Sequence, residues 1–162
     1  PPGFQNLPMP DIHRKSIQVD ESLIDIHQHV NNQEYLRWMQ EIAIEHSTLQ
    51  GWPMARYLQT GASWYVRSHF IEYLRPALLG DELLAHTWIA EMGKHSCQRR
   101  TLFMRTSDRQ ILVRAETQWI FVSLKSGRPI AVQEDVRNAF PVLATDEAAL
   151  AACQSAKTAS AT

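Results

Sequence analysis

The sequence predicts an α+β domain in which an antiparallel sheet wraps around one long helix. Apolar residues recur at three- and four-residue steps from Gln33 to about Gln50, as on the buried face of an amphipathic helix. Four long segments rich in β-branched and aromatic residues follow Gly61, and short connections between them require mainly antiparallel neighbours. A helix with so large an apolar face needs an extended partner surface, which only a sheet supplies here.

The length of the chain fits one domain with a substantial core, since it has 162 residues of which 44% are apolar. Residues 1–11 contain four prolines and a glycine, and we expect them to form an extended lead-in. The domain itself is expected over residues 12–144. The alanine-rich tail, residues 145–162, is expected to be a helix that frays into disorder.

Charge and cysteine usage exclude several classes of partner. The 16 basic and 17 acidic residues give a net charge of −1 without a block of like charge, so neither nucleic acid nor an anionic membrane surface is an expected partner. Cys97 and Cys153 lack CxxC spacing, which argues against a disulfide framework or a thiolate metal site. No apolar run approaches the ~18 residues of a membrane span. We expect a soluble, unanchored, cytoplasmic protein.

Local signals set the bounds of the first elements. Alternation of apolar and polar residues predicts a short strand over residues 14–19. Asn31 or Asn32 can cap the long helix at its start. Gly51 lies where a left-handed residue is expected after the last turn, and Pro53 prevents continuation.

The long helix carries a wide apolar surface. Its stripe consists of Tyr35, Trp38, Met39, Ile42, Ala43, His46 and Leu49. Leu36 and Ile44 lie outside the stripe and predict a helix that is buried on more than one side. The strands that follow are predicted over residues 62–74, 82–91, 96–106 and 111–124.

A concentration of polar groups just before the helix is the candidate catalytic site. Asp25, His27 and His29 precede a helix start whose free N–H groups carry about half a positive charge. Amides near Val30 to Asn32 would therefore hold an oxyanion while Asp25 activates water or attacks a carbonyl. A thioester suits so simple a site, because its carbonyl is electrophilic and its thiolate leaves with little protonation.

Other interpretations of these residues stay open at this point. Asp25 is by type a common turn or capping residue, and each histidine is a common packing residue in a loop. His27 and His29 would ligate a metal only with a third ligand, such as Asp25. Glu41 and Glu45 are possible general bases if their face of the helix lines a cleft.

The residues around Asp25 resemble a known family. The chain reads Asp25-Ile-His-Gln-His-Val-Asn-Asn-Gln-Glu-Tyr35-Leu-Arg-Trp38, similar to the signature of hotdog-fold acyl thioesterases of the 4-hydroxybenzoyl-CoA thioesterase type. Its Gln-His-Val-Asn-Asn core is especially similar to plant acyl-carrier-protein thioesterases. Residues 70–81 resemble a strand and turn of the family, residues 119–129 its last strand, and the resemblance covers roughly residues 12–140.

The resemblance implies a five- or six-stranded antiparallel sheet around the helix, with dimers or dimers of dimers formed by edge-strand pairing and active sites between subunits. It also implies that Asp25 acts as nucleophile or general base. Plant relatives carry Asp, Asn and His at the positions of Asp25, His27 and His29, so His27 departs from their pattern. Gln28 replaces the glycine that is common in bacterial relatives.

These observations lead to one functional hypothesis, the hydrolysis of acyl-CoA or acyl-carrier-protein thioesters without a cofactor. The candidate catalytic residues are Asp25, His29, His27 and Asn31. The candidate substrate-binding residues are Val30, Asn32, Tyr35 and Arg75. The alternatives are a hotdog enoyl-thioester hydratase or dehydratase, a non-catalytic acyl-CoA binding module and a metal-binding protein.

Basic residues near the mouth of the site would bind the phosphates of coenzyme A. The possible residues are Arg67, Arg75, Arg99 and Arg100. Each is expected to be a solvated strand residue, and Arg75 is favoured because it precedes the Pro76 turn. Acyl length, the choice between coenzyme A and carrier protein, and the choice between dimer and tetramer cannot be determined from the sequence.

Overall fold

A computed structural model describes residues 12–149 and residue 151 of the chain. The elements are β1 (His13–Gln18), α1 (Asn32–Leu49), α2 (Met54–Thr60), β2 (Ala62–Tyr73), β3 (Glu82–Met92), β4 (Ser96–Arg105), β5 (Ile111–Ser123) and α3 (Glu134–Ala139), with a short 3₁₀ turn at Glu21–Leu23. The predicted lead-in lies outside the described residues. Of the predicted tail, residues 145–149 and 151 are described, and residues 146–149 and 151 are helical.

The five strands form one antiparallel sheet in the order β1-β3-β4-β5-β2. β1 and β2 are therefore the edges, while β4 lies at the centre. Phe103 in β4 faces Ala85 of β3 and Val113 of β5 across the ladder, and all three side chains are buried. The predicted α+β class and antiparallel sheet are confirmed, although β2 and β3 follow each other in the chain and do not pair.

Helix α1 begins and ends where the sequence indicates. The Asn31 Oδ1 atom accepts a hydrogen bond from the Gln33 N–H at 3.0 Å and so caps the first turn. After the last turn, Gly51 has a φ of 90°, a left-handed conformation that glycine adopts without steric cost. One face of the helix packs on the sheet through six buried residues, Tyr35, Trp38, Met39, Ile42, Ala43 and His46.

Burial of α1 on more than one side was a wrong prediction for the single chain. Leu36 and Ile44 are 37% and 50% exposed, and Leu49 of the predicted stripe is 57% exposed. The edge strand β2 is similarly open, since Tyr65 and Phe70 are 53% and 61% exposed. The open side of α1 and the outer edge of the sheet thus both present apolar surface.

Helices α2 and α3 were not predicted from the sequence. Each spans two turns or fewer, which is too short for a helical period to stand out. Both helices close one end of the core, where Tyr57 and Val136 pack in one cluster with Trp52 and Phe121. No helix in the described part of the chain is long and apolar enough to cross a membrane.

Candidate active site

The segment from Ile24 to Val30 forms a tight loop whose two ends pair as an antiparallel bridge. The Asp25 N–H donates to the His29 carbonyl oxygen at 2.8 Å, and the Gln28 N–H donates to the Asp25 carbonyl oxygen at 3.0 Å. Gln28 has a φ of 63°, in the left-handed region that favours glycine. The glycine of bacterial relatives at this position is thus explained by the backbone conformation.

Backbone amides hold the Asp25 carboxylate in place. Its Oδ1 atom accepts from the N–H groups of His27 at 2.9 Å and His29 at 3.4 Å. Its second oxygen has no hydrogen-bond partner among residues 12–149, and the side chain is half-buried. One carboxylate oxygen is therefore fixed while the other is available to water or a substrate.

The two loop histidines contact Asp25 through their backbone and not through their imidazole rings. Both rings are on exposed residues, and within the described residues neither ring nitrogen bonds to Asp25. His27 and His29 orient the carboxylate through their backbone N–H groups, because the turn places those groups two and four residues after Asp25. The side chain at position 27 can therefore differ between relatives without changing this contact.

The amides at the helix start are not equally available. The Val30 N–H donates to the Ala77 carbonyl oxygen at 3.0 Å, and the Asn31 N–H donates to that of Leu23 at 2.9 Å. The cap on Gln33 uses the side-chain oxygen of Asn31. The Asn32 N–H has no acceptor in the described part of the chain. The predicted oxyanion donors, Val30 to Asn32, are thus reduced to the amide of Asn32.

A cleft of about 200 Å³ brings all four predicted substrate-binding residues together. It is lined by Val30, Asn32, Tyr35 and Arg75 together with His29, whereas Asp25, His27 and Asn31 are not part of its wall. The side chain of Arg75 is exposed and forms no ion pair with another described residue. Its positive charge is therefore free for an anionic ligand at the cleft.

The tyrosines of the cleft are neutral hydrogen-bonding groups. Burial, with smaller effects of Tyr73 and Asp81, raises the pKa of Tyr35 to about 12. Its ring packs edge-on against Trp38, Tyr73 and Phe103. The Tyr73 hydroxyl donates to the Asn32 carbonyl oxygen at 3.4 Å. Tyr73 was not a predicted site residue, although it lies in the segment that resembles the family.

A second cavity, of about 240 Å³, lies between α1, α2 and the sheet. Its floor includes Arg99, which is only 6% exposed, so the predicted solvated residue is in fact buried. Arg99 Nη1 donates to His46 Nδ1 at 3.0 Å and to Thr87 Oγ1 at 3.1 Å. Burial lowers the pKa of Arg99 to about 10, which leaves the guanidinium charged at neutral pH.

Glu41 and Glu45, the alternative general bases, already form ion pairs with basic side chains. Lys15 contacts Glu45 at 2.7 Å and Glu41 at 3.6 Å, and Arg37 also donates to Glu41 at 2.9 Å. Burial opposes ionisation of Glu45, but hydrogen bonds from Lys15 and His13 outweigh it and lower the pKa of this carboxyl. A carboxylate whose pKa is lowered in this way is a weak base.

A metal site around the loop histidines also lacks support. Among the residues that the structure describes, no group of three or more His, Cys, Asp or Glu side chains has the spacing to hold a metal ion.

Comparison with known proteins identifies the family. A sequence model of the thioesterase-like superfamily matches residues 19–140. The long-chain acyl-CoA thioesterase FadM of Escherichia coli K12 is 25% identical over 117 residues, 70% of this chain and 86% of that protein. The chloroplastic palmitoyl-acyl carrier protein thioesterase of Cuphea hookeriana is 26% identical over 106 residues, 62% of this chain but only 26% of that protein.

A solved structure has the same fold. The 1,4-dihydroxy-2-naphthoyl-CoA thioesterase Slr0204 from Synechocystis superposes with a TM-score of 0.72 at 18% identity, over 79% of this chain and 94% of the other. The five-stranded antiparallel sheet around α1 is the architecture that the two share. The chain belongs to the thioesterase-like superfamily and has its hotdog fold.

Proposed function

We propose that the protein hydrolyses acyl thioesters, with Asp25 as general base or nucleophile. The observation that carries this proposal is the Asp25 carboxylate, which two backbone amides fix through one oxygen while the other stays free. Preorganisation of a charged group is a large part of what a catalytic site contributes. Membership of the thioesterase-like superfamily supports the reaction class.

In the general-base path, the free Asp25 oxygen takes a proton from water as the hydroxide adds to the thioester carbonyl. The Asn32 N–H and the positive end of α1 stabilise the resulting oxyanion. Collapse of the tetrahedral intermediate breaks the carbon–sulfur bond and releases a carboxylic acid and a thiolate, which then gains a proton. Asn31 contributes by capping the helix and so holding the Asn32 amide in position.

The cleft beside this site would hold the pantetheine end of the substrate. Arg75 is its free positive charge, and phosphate groups of coenzyme A or of a carrier-protein prosthetic group are suitable partners for a guanidinium. Val30, Tyr35 and His29 form part of the wall on which the substrate would pack. Acyl-CoA and acyl-carrier-protein substrates are both consistent with the names of the relatives.

A second copy of the chain is the proposed cover for the open edge of the sheet. β2 is an edge strand, and Phe70 and Tyr65 project from it with most of their apolar surface exposed. Leu36 and Ile44 expose apolar surface on α1 in the same way. An unpaired, apolar edge of 12 residues favours pairing with another strand. The mass in solution, with Phe70→Glu as the disrupting variant, tests this dimer.

The central experiment measures thiol release from a panel of acyl-CoA and acyl-carrier-protein substrates. Asp25→Asn is expected to lower kcat by roughly 10²–10⁴-fold, the usual contribution of a positioned general base. Asp20→Asn is the matched control, because Asp20 caps the nearby 3₁₀ turn and an asparagine can also serve as that cap.

Several results would contradict the proposal. Unchanged thiol release in Asp25→Asn would overturn the assigned role of this residue. Hydration of an enoyl-CoA without thiol release would favour a hydratase instead, and tight acyl-CoA binding without turnover would favour a binding module. A single turnover in ¹⁸O-labelled water then distinguishes Asp25 as general base from Asp25 as nucleophile. Only a nucleophilic Asp25 can acquire the label in its carboxylate.

A further inference from the structure

In the cavity between α1, α2 and the sheet, the residues at the mouth are exposed and those at the floor are buried. Exposed residues such as Gln40, Ile44 and Val66 form its mouth on the open side of α1. Buried residues form its floor, among them Arg99 and Phe140. A ligand that enters from the side of α1 would thus place its far end against Arg99.

Among the residues that the structure describes, Arg99 has no negatively charged partner. Its Nη1 atom donates to His46 and to Thr87. Because a guanidinium only donates, His46 Nδ1 must accept and carries no proton, and the Thr87 hydroxyl is neutral. No carboxylate of the described residues lies within ion-pair distance of Arg99. A buried charge without a counter-charge is costly, and an anionic ligand would remove that cost.

The rest of the cavity wall is suited to a hydrocarbon chain. Trp64, Trp119 and Ile89 contribute apolar surface. Its hydroxyl groups are partly satisfied already, since Ser47 Oγ bonds to the Trp52 carbonyl oxygen at 2.7 Å and to the Tyr57 hydroxyl at 3.0 Å. The occupant that matches this surface is therefore an apolar chain with a negative charge at its far end.

The spacing along α1 gives the length of that occupant. Ala43, on the cavity wall, lies 11 residues after Asn32, or about 16 Å along the helix. An extended chain advances about 1.2 Å per bond, so about 13 bonds span this distance. The cavity volume of about 240 Å³ holds roughly eight water-sized groups, at about 30 Å³ each. The remaining part of the chain would lie along the exposed residues Leu36 and Gln40.

We infer that Arg99 is a specificity-determining residue that binds the terminal carboxylate of a long ω-carboxyacyl thioester in this cavity. The identity of the substrate as a thioester rests on the proposed hydrolase function. A bidentate guanidinium–carboxylate pair would give the buried Arg99 charge its missing partner. The same interaction would discriminate against a methyl-terminated chain, which leaves the charge uncompensated.

The test compares coenzyme A thioesters of 8, 12 and 16 carbons that end in a carboxylate, a hydroxyl or a methyl group. The wild-type protein is expected to favour the carboxylate over the methyl terminus by at least about tenfold in kcat/KM, with the largest ratio at 12 or 16 carbons. A wild-type protein that favours the methyl terminus at every length would overturn the inference. Equal rates for carboxylate and hydroxyl termini would also overturn it.

Variants assign the preference to the guanidinium. Arg99→Met is expected to lower kcat/KM for the carboxylate series by about 10- to 100-fold and to leave the methyl series within a few-fold. Arg99→Lys, which keeps the charge, should restore part of the preference. Arg114→Met is the control, because Arg114 is an exposed arginine of β5. Equal losses in both series would contradict the inference.

A binding measurement separates this inference from the proposed function. Trp64 and Trp119 line the cavity, so their fluorescence reports occupancy without turnover. Monomethyl dodecanedioate should bind at least tenfold more tightly than methyl dodecanoate, since only the first carries a carboxylate. Such binding without thiol release would sustain the role of Arg99 and reject the hydrolase. Thiol release without this difference would sustain the hydrolase and reject the role of Arg99.

Discussion

A charged side chain lies near each end of α1, and the two charges have opposite sign. At its start, the carboxylate of Asp25 lies in an exposed loop and is held by amides two and four residues away. Toward its end, the guanidinium of Arg99 is buried and is held by His46 and Thr87, which come from two other elements. The first arrangement is local and open to water, whereas the second is assembled across the fold and is buried. The comparison suggests that chemistry occurs at the loop and selection occurs in the cavity.

Removal of the Asn32 N–H is the most direct test of a catalytic role for the start of α1. Asn32→Pro should lower kcat by roughly 10²–10³-fold, the usual loss of one oxyanion donor. Proline fits this first helical position, and Asn31 has the extended conformation, φ −60° and ψ 131°, that a following proline requires. The thermal midpoint should therefore stay close to that of the wild type.

Asn32→Ala is the matched control for this experiment, because it removes the side chain and keeps the N–H. It should retain activity within a few-fold of the wild type. If Asn32→Pro folds normally and is as active as Asn32→Ala, the oxyanion site lies elsewhere.

Backbone strain at Gln28 is a second testable feature, and the free energy of unfolding from chemical denaturation measures it. Gln28 has a left-handed conformation that costs an ordinary side chain about 1–2 kcal/mol. Gln28→Gly should therefore keep or raise the free energy of unfolding, by up to about 1 kcal/mol, whereas Gln28→Val should lower it by about 1 kcal/mol or more.

Gln33→Gly provides the contrast, since Gln33 lies in the first turn of α1. Glycine in a helix should destabilise the protein by up to about 1 kcal/mol. A loss of similar size in Gln28→Gly would show that the loop is not strained.

We regard the role of the α1 carboxylates as structural, and we expect only a small loss of stability when one of them is neutralised. The pKa of Glu45 is lowered below its ordinary value of 4.5, so its ionised form stabilises the fold above that pH and the contribution is lost as the pH falls through the lowered pKa. Glu45→Gln should cost less than about 1 kcal/mol at pH 7, since the side chain is 41% exposed.

The difference in the free energy of unfolding between wild type and Glu45→Gln should disappear near pH 2. Chemical denaturation at pH 7 and near pH 2 measures it. Glu45→Gln should also leave kcat unchanged at neutral pH. A large loss of activity would instead make Glu45 a catalytic group and would weaken the distinction between the two ends of α1.

The sequence predicted the local features well. The bounds of α1 and the four long strands agree with the structure to within one or two residues, because capping residues, glycine turns and alternating patterns act over short distances. Asp25 was found for the same reason, since the groups that hold it lie within four residues of it. That His27 and His29 contact Asp25 through their backbone could not be predicted, because residue type does not distinguish a side-chain contact from a backbone contact.

The Arg99 cavity could not be predicted from the sequence. Position 99 has the pattern of a strand residue, and whether that side chain meets water or His46 depends on how α1 lies across the sheet. The short helices α2 and α3 were missed for a related reason, since packing on the core stabilises them more than their own periodicity does. The cytoplasmic location and the dimer stay predictions.

The class of fold, the order of the elements along the chain and the loop that carries Asp25 could all be inferred from the sequence. Each of these follows from interactions between residues that are close along the chain. The folded structure was needed to show which helix-start amide is free, which residues share the cleft with Arg75 and that Arg99 is buried with no counter-charge among the described residues. Those properties depend on contacts between distant segments, where burial and competing hydrogen bonds decide which groups remain available.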